Sequence, residues 1–472
     1  MNPRYLLLYL PVFLTYLFQT TNPSLAYWIA WGGSFWIYLI TFTGLVRPLP
    51  TDRPILNQVF RPFFLVHLIF SGYMTITSIF FYLDAMGYFY LDKIKSEESF
   101  VYISSIAYCQ FLYCLGHAAY IHGLLLFLDY KPPKYVIQVS SQTSISKIFF
   151  FTTLFFFLGS VVFRFIPGGA QFLIQFQLST AVFAVFAFGY SLLEKKKNYI
   201  FITGLLFCYG EFQALTSGWK EFTVLPILLL GAILWTKYKK TILFTAPFMI
   251  FLFLFVIPYY TGIVRGLSWG KNVEGTQAAA IALDKVRNEN IDGLLEENWS
   301  FLIYRLSEIK MFMVYVDKVP TQIPYMTDEI LTQSLESILP RILYPNKPVP
   351  DEVIMERVYK IGAVGKGSNV SAKPAFIADS YIMGGEIGIF CSLFLLGVLV
   401  TLLSKKAESL FGGYAIGSGC MFLGLFYILI RGNAFEFMIN SVFWSIVTMY
   451  LLFYIAKRFN VLVKNPYYES NI

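Results

Sequence analysis

Charged residues are scarce in this sequence. They make up 14% of its 472 residues, whereas a soluble globular protein usually carries about 25%. Cysteine is also sparse, with five in the whole chain. The low charge excludes a large soluble enzyme, and the cysteine count excludes a disulfide scaffold. Because hydrophobic residues instead reach 57%, the composition indicates a polytopic membrane protein.

Motifs for metal or nucleotide chemistry are missing. The sequence has no His-Glu-x-x-His pair and no phosphate-binding P-loop. Its three histidines are His67, His117 and His122. The spacing of the last two does not place both on one helical face, as zinc ligands would require. We interpret the histidines as satisfied side chains within membrane helices, and we predict no metal site and no cofactor.

Twelve apolar runs divide the chain. A transmembrane helix needs about 17–25 such residues, and most of the runs reach that length. In order, they are Tyr5–Phe18, Leu25–Val46, Pro62–Leu83, Phe100–Phe127, Ile148–Phe163, Phe172–Leu193, Tyr199–Leu215, Phe222–Trp235, Ile242–Pro258, Ile382–Leu403, Gly413–Ile430 and Phe437–Ile455. The pattern predicts an all-α integral membrane protein with about twelve transmembrane helices.

Basic residues indicate the orientation of these helices, because Lys and Arg concentrate in cytoplasmic loops. In this chain they cluster in alternate loops, for example at Lys195–Lys197 and Lys237–Lys240, while the loops between hold few. The alternation predicts that both termini lie in the cytoplasm.

One loop is far longer than the others, and the alternation places it outside the cell membrane. It runs from Tyr259 to Tyr381 and contains apolar residues at helical spacing in Asn290–Val316. A loop of this length between packed elements is usually functional, and we expect a mainly helical lid. The predicted organisation is helices 1–9 in residues 1–258, an extracytoplasmic domain in 259–381, and helices 10–12 with a cytoplasmic tail in 382–472.

Cationic side chains recur at the predicted outer ends of the helices and in the long loop. They are Lys220, Arg265, Arg305, Arg341 and Arg431. Guanidinium and ammonium groups of this kind suit a diphosphate, since Arg binds phosphate oxygens in pairs and Lys binds as a point charge. Each residue also has a simpler interpretation, as an interfacial anchor or as one half of a structural ion pair.

Carboxylates lie on the same predicted side. They are Glu211, Asp379, Glu386 and Glu436. Transfer of a sugar onto a hydroxyl needs a general base, and a carboxylate can supply it. Asp379 has an alternative role as the N-terminal cap of a helix, and Glu386 as a structural partner. The predicted outer loops contain no Asp-x-Asp or Glu-x-Asp pair, so the usual magnesium or manganese site of metal-dependent lipid-linked glycosyltransferases is missing.

Four short motifs, in this order and on the predicted outer side, resemble those of a known family. The family is that of the bacterial Wzy-type oligosaccharide-repeat-unit polymerases, within the wider O-antigen polymerase and ligase superfamily. The motifs are Leu215–Lys220, where the family more often ends in Arg, the proline-bounded Leu339–Pro348, the glycine-rich Met383–Gly388, and Arg431 between the last two helices.

The resemblance implies a GT-C-like polymerase or ligase architecture in the bacterial inner membrane. Such an enzyme, in exopolysaccharide or O-antigen synthesis, transfers a growing glycan from undecaprenyl diphosphate to a lipid-linked repeat unit by a metal-independent inverting displacement. It implies a catalytic role for Arg431. The family pattern does not fix the general base, for which Asp379 and Glu386 are the candidates. The resemblance also implies substrate binding by Lys220, Arg265, Arg305 and Arg341, and the usual partners would be a chain-length regulator and a flippase.

Two other functions fit the sequence. An O-antigen ligase uses the same donor, but ligases of this superfamily usually carry a catalytic histidine in the long outer loop, and Tyr259–Tyr381 contains none. A transporter or flippase of lipid-linked sugars usually shows inverted repeats and broken helices, and the sequence shows no pairing into halves. The sequence therefore favours a polymerase.

Overall fold

The computed structural model is almost entirely helical. It describes residues 3–89, 93–94, 100–138, 144–167, 169–218, 220–268, 273–288, 291–341, 343–366 and 373–468. Two short antiparallel strand pairs join the helices in these ranges. They are β1 (Tyr88–Phe89) with β2 (Lys93–Ile94), and β3 (Tyr135–Ile137) with β4 (Leu462–Lys464).

The helices follow one another with few long breaks. In chain order they are α1 (Leu10–Phe18), α2 (Pro23–Phe42), α3 (Pro62–Ile69), α4 (Ile76–Ala85), α5 (Phe100–Leu126), α6 (Ile145–Arg164), α7 (Ala170–Glu194), α8 (Lys197–Ser217), α9 (Lys220–Phe251), α10 (Ile257–Ser268), α11 (Gly275–Asn288), α12 (Ile291–Phe301), α13 (Ile309–Lys318), α14 (Thr327–Ile338), α15 (Pro350–Ile361), α16 (Phe376–Leu410), α17 (Tyr414–Ile416), α18 (Leu423–Arg431) and α19 (Phe435–Arg458). Short 3-10 segments at Pro3–Tyr9 and Ile55–Asn57, and π segments at Phe70–Thr75, Leu252–Val256, Leu302–Leu306 and Gly417–Phe422, lie between them.

Eight helices in the described ranges are long and apolar enough to cross a membrane. They are Pro23–Phe42, Tyr102–Leu126, Ile145–Arg164, Gln175–Glu194, Lys197–Ser217, Lys237–Ser268, Phe376–Leu410 and Phe435–Arg458. Shorter apolar helices lie at Pro3–Phe18, Ile76–Ala85, Phe222–Trp235 and Tyr414–Leu429. Each predicted apolar run overlaps one of these helices. The predicted all-helical fold is therefore confirmed, and its long apolar helices are consistent with a membrane protein. The count of twelve crossings and the side on which each loop lies remain predictions.

Contacts divide the chain into two compact units. The first consists of Met1–Ile137 and Leu302–Ile472, and the second of Gln138–Phe301. The long loop from Tyr259 to Tyr381 therefore contributes to both. In the second unit, α6 packs on α7 through phenylalanine rings such as Phe156 and Phe183, whose centroids are 5.0 Å apart. Helix α7 also packs on α8 and α9.

In the first unit, α5 and α16 approach closely along glycines. A Cβ at Gly123 would clash with the backbone carbonyl of Phe394, and a Cβ at Gly397 would clash with that of Tyr120. Small residues let membrane helices bring their backbones together, where van der Waals contacts stabilise the pair. The hydroxyl of Thr401 also donates to the Leu124 carbonyl at 2.9 Å. This helix pair forms the centre of the first unit.

The tight α5–α16 contact yields a prediction. Gly123→Ala should destabilise the protein by about 1–3 kcal/mol, because the added methyl group meets backbone that cannot move aside. The matched control is Gly32→Ala in α2, where a Cβ meets nothing within 4 Å. Thermal unfolding of the purified variants in detergent measures the difference. Equal melting temperatures for the two variants would contradict this packing.

A buried arginine joins the loop before α3 to the C-terminal end of α16. The Arg61 guanidinium, 1% exposed, donates to both oxygens of Glu408 at 2.9 and 3.0 Å and to those of Asp52 at 2.7 and 3.0 Å. It also lies over the Tyr130 ring at 3.9 Å. Burial alone would raise the pKa of Asp52, but hydrogen bonds and charges from Arg61 and Arg53 outweigh it and lower that pKa.

Candidate functional site

Two membrane helices of the first unit begin side by side, and each carries a carboxylate in its first turn. Helix α16 begins at Phe376 and α19 at Phe435, and their rings stack with centroids 4.4 Å apart. Asp379 and Glu436 occupy the first turns, where the positive end of the helix dipole favours negative charge. The Phe435 N–H also donates to Asp379 Oδ2 at 3.1 Å.

An arginine from the long loop bridges these carboxylates. Arg357, on α15, contacts Asp379 Oδ1 through Nη2 at 3.2 Å and Glu436 Oε1 through Nη1 at 2.7 Å. All three side chains are at most 1% exposed. Burial by itself lowers the pKa of Arg357, but the two carboxylates outweigh it and raise that pKa. The Arg357–Asp379–Glu436 cluster therefore joins three helices and leaves its guanidinium closed to a substrate phosphate.

The space beside this cluster is small. A cavity of about 20 Å³ lies among Gln333, Ser337, Lys347 and Glu436, which is room for about one water molecule. Tyr315, on α13, is fully buried, and its hydroxyl has no hydrogen-bond partner in the described part of the chain. No sugar ring fits this cavity. The cluster is therefore a tightly packed joint between helices.

The glycine-rich motif of α16 breaks the helix. Gly385 has φ 62° and ψ −141°, a conformation that is strained for residues with a side chain. The break frees two carbonyl groups of the preceding turn. The Met326 N–H donates to the Ile382 carbonyl at 3.1 Å, and the Thr327 hydroxyl donates to that of Met383. Residues of the long loop, at the start of α14, therefore supply the hydrogen bonds that these two carbonyl groups lack within the broken helix.

Glu386 follows this break directly. Its Oε1 accepts a hydrogen bond from the Tyr108 hydroxyl on α5 at 2.8 Å, and its side chain is half-buried. Asp379, in contrast, is 0% exposed and paired with Arg357. Of the two predicted bases, Glu386 is the carboxylate that a ligand can reach without breaking a buried ion pair.

In the second unit, the first motif forms the turn between α8 and α9. Gly218, with φ 73°, ends α8 in the left-handed conformation, and Lys220 begins α9. Arg265 on α10 donates from Nε to the Gly218 carbonyl at 2.7 Å. The structure thus brings Arg265 to the turn that precedes Lys220. The Lys220 side chain lies outside the described residues.

A family model with the description "Domain of unknown function (DUF8712)" matches residues 10–464. The chain belongs to the DUF8712 family. No curated protein and no solved structure matches the chain. The match extends from α1 to β4, so it includes both units and every predicted site residue.

The proline-bounded motif of this DUF8712 protein forms a closed turn after α14. Lys347 is buried, and its ammonium donates to the carbonyls of Ser337 at 2.5 Å and Leu339 at 2.9 Å. Burial, and after it the charge of Arg341, lowers the pKa of Lys347. Lys347 therefore satisfies the C-terminal carbonyls of α14, whereas Arg341 is half-buried at the surface of the turn.

Two further arginines of the predicted site belong to the first unit. Arg305 lies in the π segment Leu302–Leu306, and Arg431 is the last residue of α18. Their side chains lie outside the described residues. The turn that follows Arg431 contains Gly432, with φ 75°, and leads directly to the Phe435 N–H that binds Asp379. The closing turn is therefore adjacent to the Arg357–Asp379–Glu436 cluster.

Sequence reasoning missed Arg357 in this DUF8712 protein. The helical period of α15 contained a signal, because Arg357 falls on the same face as the buried Ile354, Val358 and Ile361. A charge on an apolar face needs a buried partner. Among the described residues, no group of three or more His, Cys, Asp and Glu side chains is arranged to hold a metal ion. The arrangement offers a reachable carboxylate beside a rigid charged joint.

Proposed function

We propose that the protein polymerises lipid-linked glycan repeat units at the outer face of a bacterial inner membrane. One observation carries this proposal. Glu386 is a half-buried carboxylate at a break in a membrane helix, where Tyr108 orients it and the long loop covers the preceding turn. A carboxylate held in this way, at the end of an apolar helix, suits proton removal from a polar group attached to a lipid.

The proposed reaction is a single displacement. Glu386 accepts the proton of a sugar hydroxyl on the repeat unit, and the oxygen attacks the anomeric carbon of the glycan. The bond from that carbon to undecaprenyl diphosphate breaks, so the configuration inverts and the diphosphate leaves with the electron pair. Arg431, with Arg305 and Arg341, is proposed to stabilise the developing negative charge. In the second unit, Lys220 and Arg265 are proposed to bind phosphate oxygens.

The proposal includes an orientation. Twelve crossings with both termini in the cytoplasm would place the long loop and the start of α16 outside, where lipid-linked repeat units await polymerisation. The clustering of Lys and Arg in the alternate loops supports this orientation. Proposed partners are the undecaprenyl-diphosphate glycans, a flippase that delivers them and a chain-length regulator.

The test is polymerisation by purified protein in vesicles. The probe is an undecaprenyl-diphosphate-linked repeat unit, supplied with and without EDTA. A ladder of products that grows equally in EDTA is the expected result. Product of unchanged length would contradict a polymerase. Transfer of the repeat unit to an added lipid A core would instead indicate a ligase, which uses the same displacement on another acceptor.

A transporter is the second candidate, and two observations favour it. Helix α16 is broken at Gly384 and Gly385, and transporters bind substrates at broken helices. Two buried histidines, His67 and His117, also contact each other at 3.0 Å within the first unit. Buried histidines inside a membrane protein are typical of the proton relays of transporters. The vesicle experiment can be repeated with a fluorescent label on the lipid-linked repeat unit. A transporter would then move this unit between leaflets without lengthening it.

The phenol that orients Glu386 yields a prediction under this proposal. Tyr108→Phe should lower the polymerisation rate about 10- to 100-fold, because a hydrogen bond to a charged group contributes about 1.5–3 kcal/mol. Stability should remain close to wild type, because phenylalanine keeps the ring of Tyr108 and its packing within α5. Tyr102→Phe on the same helix is the matched control. Identical rates for both variants would remove Tyr108 from the site.

A further inference from the structure

One helix of the long loop carries an exposed apolar stripe. On α14 and the turn after it, Leu331, Leu335, Leu339 and Leu343 recur at every fourth residue. Their exposed fractions are 43%, 65%, 45% and 74%. Leu331 and Leu335 lie one turn apart on the same face of α14, and Leu339 and Leu343 continue the series after the helix ends at Ile338. Exposed leucines in such a series, on a segment surrounded by water, form an apolar patch of the kind that marks a covered surface.

A neighbouring face of α14 is buried and fixes the position of the helix. Ile330, Ser334 and Ser337 are at most 2% exposed. This face packs along α19. The Trp444 indole N–H donates to the Ile338 carbonyl at 3.2 Å, and the Ser337 hydroxyl donates to the Glu436 carbonyl at 3.0 Å. The C-terminal end of α14 is therefore attached to the side of α19.

Part of this attachment lies well inside a membrane-spanning helix, beyond its first turns. Trp444 is nine residues beyond Phe435, the first residue of α19, which corresponds to about 13 Å along the axis at 1.5 Å per residue. Tryptophan side chains lean toward the helix N-terminus and prefer the membrane interface. The N-terminal end of α14 is bound at Ile382 and Met383, two turns inside α16. Both ends of α14 thus contact membrane helices near their N-terminal ends, with Ser337 bound at the first turn of α19 and Ile338 bound to Trp444 farther along it.

We infer that α14 lies in the membrane, with its leucine stripe covered by lipid acyl chains. A helix at this level beside α16 and α19 directs its free face toward hydrocarbon or its boundary with the headgroups. The polar residues Asp328 and Glu329 cluster at its first turn, and Lys360 pairs with Glu329 at 3.4 Å. Helix α14 thus has an apolar and a polar side, as an amphipathic interfacial helix does, and its charged residues are all acidic. The segment belongs to the membrane layer and is not a water-exposed lid, whichever reaction the protein performs.

Nitroxide labelling tests this inference in the full-length protein. The two exposed cysteines, Cys208 and Cys391, are replaced by serine, and the three buried ones are kept. One exposed cysteine is then introduced in each variant, as Leu335→Cys or Leu343→Cys. Glu356→Cys, on the exposed polar face of α15, is the matched control. The labelled proteins are reconstituted in vesicles of phosphatidylethanolamine and phosphatidylglycerol. Collision rates with oxygen, which concentrates in lipid, and with a water-soluble nickel chelate are then measured.

We expect labels at 335 and 343 to collide severalfold more with oxygen than with the nickel chelate, and the label at 356 to show the reverse. Equal nickel access at 335 and 356 would overturn the inference, since the stripe would face water. An immobile label at 335, shielded from both reagents, would also overturn it, since protein from a second copy would cover the stripe. The polymerisation assay is unaffected by either outcome, so the two proposals fail separately.

Discussion

Glu386→Gln is expected to lower the polymerisation rate by about 100- to 10,000-fold, the usual contribution of a general base. Glutamine has nearly the same shape and still accepts the Tyr108 hydrogen bond, but it cannot take a proton from the acceptor hydroxyl. The loss should therefore appear in the rate and not in the amount or the melting temperature of the protein. The rate is measured from the growth of the product ladder in vesicles.

Glu356→Gln is the matched control for this experiment. Glu356 lies on the exposed face of α15, so the same chemical change there should leave the rate at the wild-type value. Glu386→Asp should recover part of the activity, because it restores a base at a slightly different position. A Glu386→Gln variant that polymerises at the wild-type rate would exclude Glu386 as the base.

Arg357→Met should give the largest loss of stability, about 3–5 kcal/mol, because removal of one partner leaves uncompensated buried charge. Asp379 and Glu436 would then face each other without a cation between them. The melting temperature in detergent should fall by several degrees or more, and the loop helix α15 should become sensitive to protease. Lys360→Met, at the exposed surface of the same helix with its side chain 57% exposed, should change neither.

A triple variant separates charge from packing at this joint. In Arg357→Met, Asp379→Asn, Glu436→Gln, the buried charges disappear together, so no uncompensated charge stays buried. We therefore expect the triple variant to melt above Arg357→Met alone. A triple variant that is less stable than the single one would contradict this explanation, because the carboxylates would then stabilise the protein even without their cation.

The helical membrane architecture was predictable because the bilayer constrains the sequence directly. A membrane helix must satisfy its backbone internally and present apolar residues over its length, so each apolar run overlaps an apolar helix. The ends of the helices were less predictable. The predicted run Ile382–Leu403 belongs to a helix that begins at Phe376 and continues to Leu410, since polar residues such as Asp379 and Lys405 find partners in the folded chain.

The charged joint could not be predicted because its members are far apart in the chain. Arg357, Asp379 and Glu436 come from three elements, and only tertiary packing brings them together. Asp379 was predicted as a base from its position alone, and the structure pairs it with a buried guanidinium. Its catalytic role stays a prediction. The pairing favours Glu386, whose carboxylate the glycine break leaves half-buried.

The proline-bounded motif illustrates another difference between pattern and structure. Arg341 and Lys347 have the same charge and lie in one motif, so the sequence could not distinguish them. In the structure, Lys347 is buried against two backbone carbonyls, whereas Arg341 remains half-buried. The basic residue predicted for substrate binding is the one that keeps access to solvent, and its role in binding remains a prediction.

The most direct measurement is the sidedness of the long loop in intact cells. Glu356→Cys, in the background without Cys208 and Cys391, is treated with a membrane-impermeant maleimide. Lys406→Cys, exposed near the C-terminal end of α16 that is predicted to be cytoplasmic, is the control. We predict that Glu356→Cys reacts in intact cells while Lys406→Cys reacts only after the membrane is permeabilised. If Glu356→Cys reacts only after permeabilisation, the start of α16 and its Glu386 face the cytoplasm, and polymerisation at the outer membrane face is excluded.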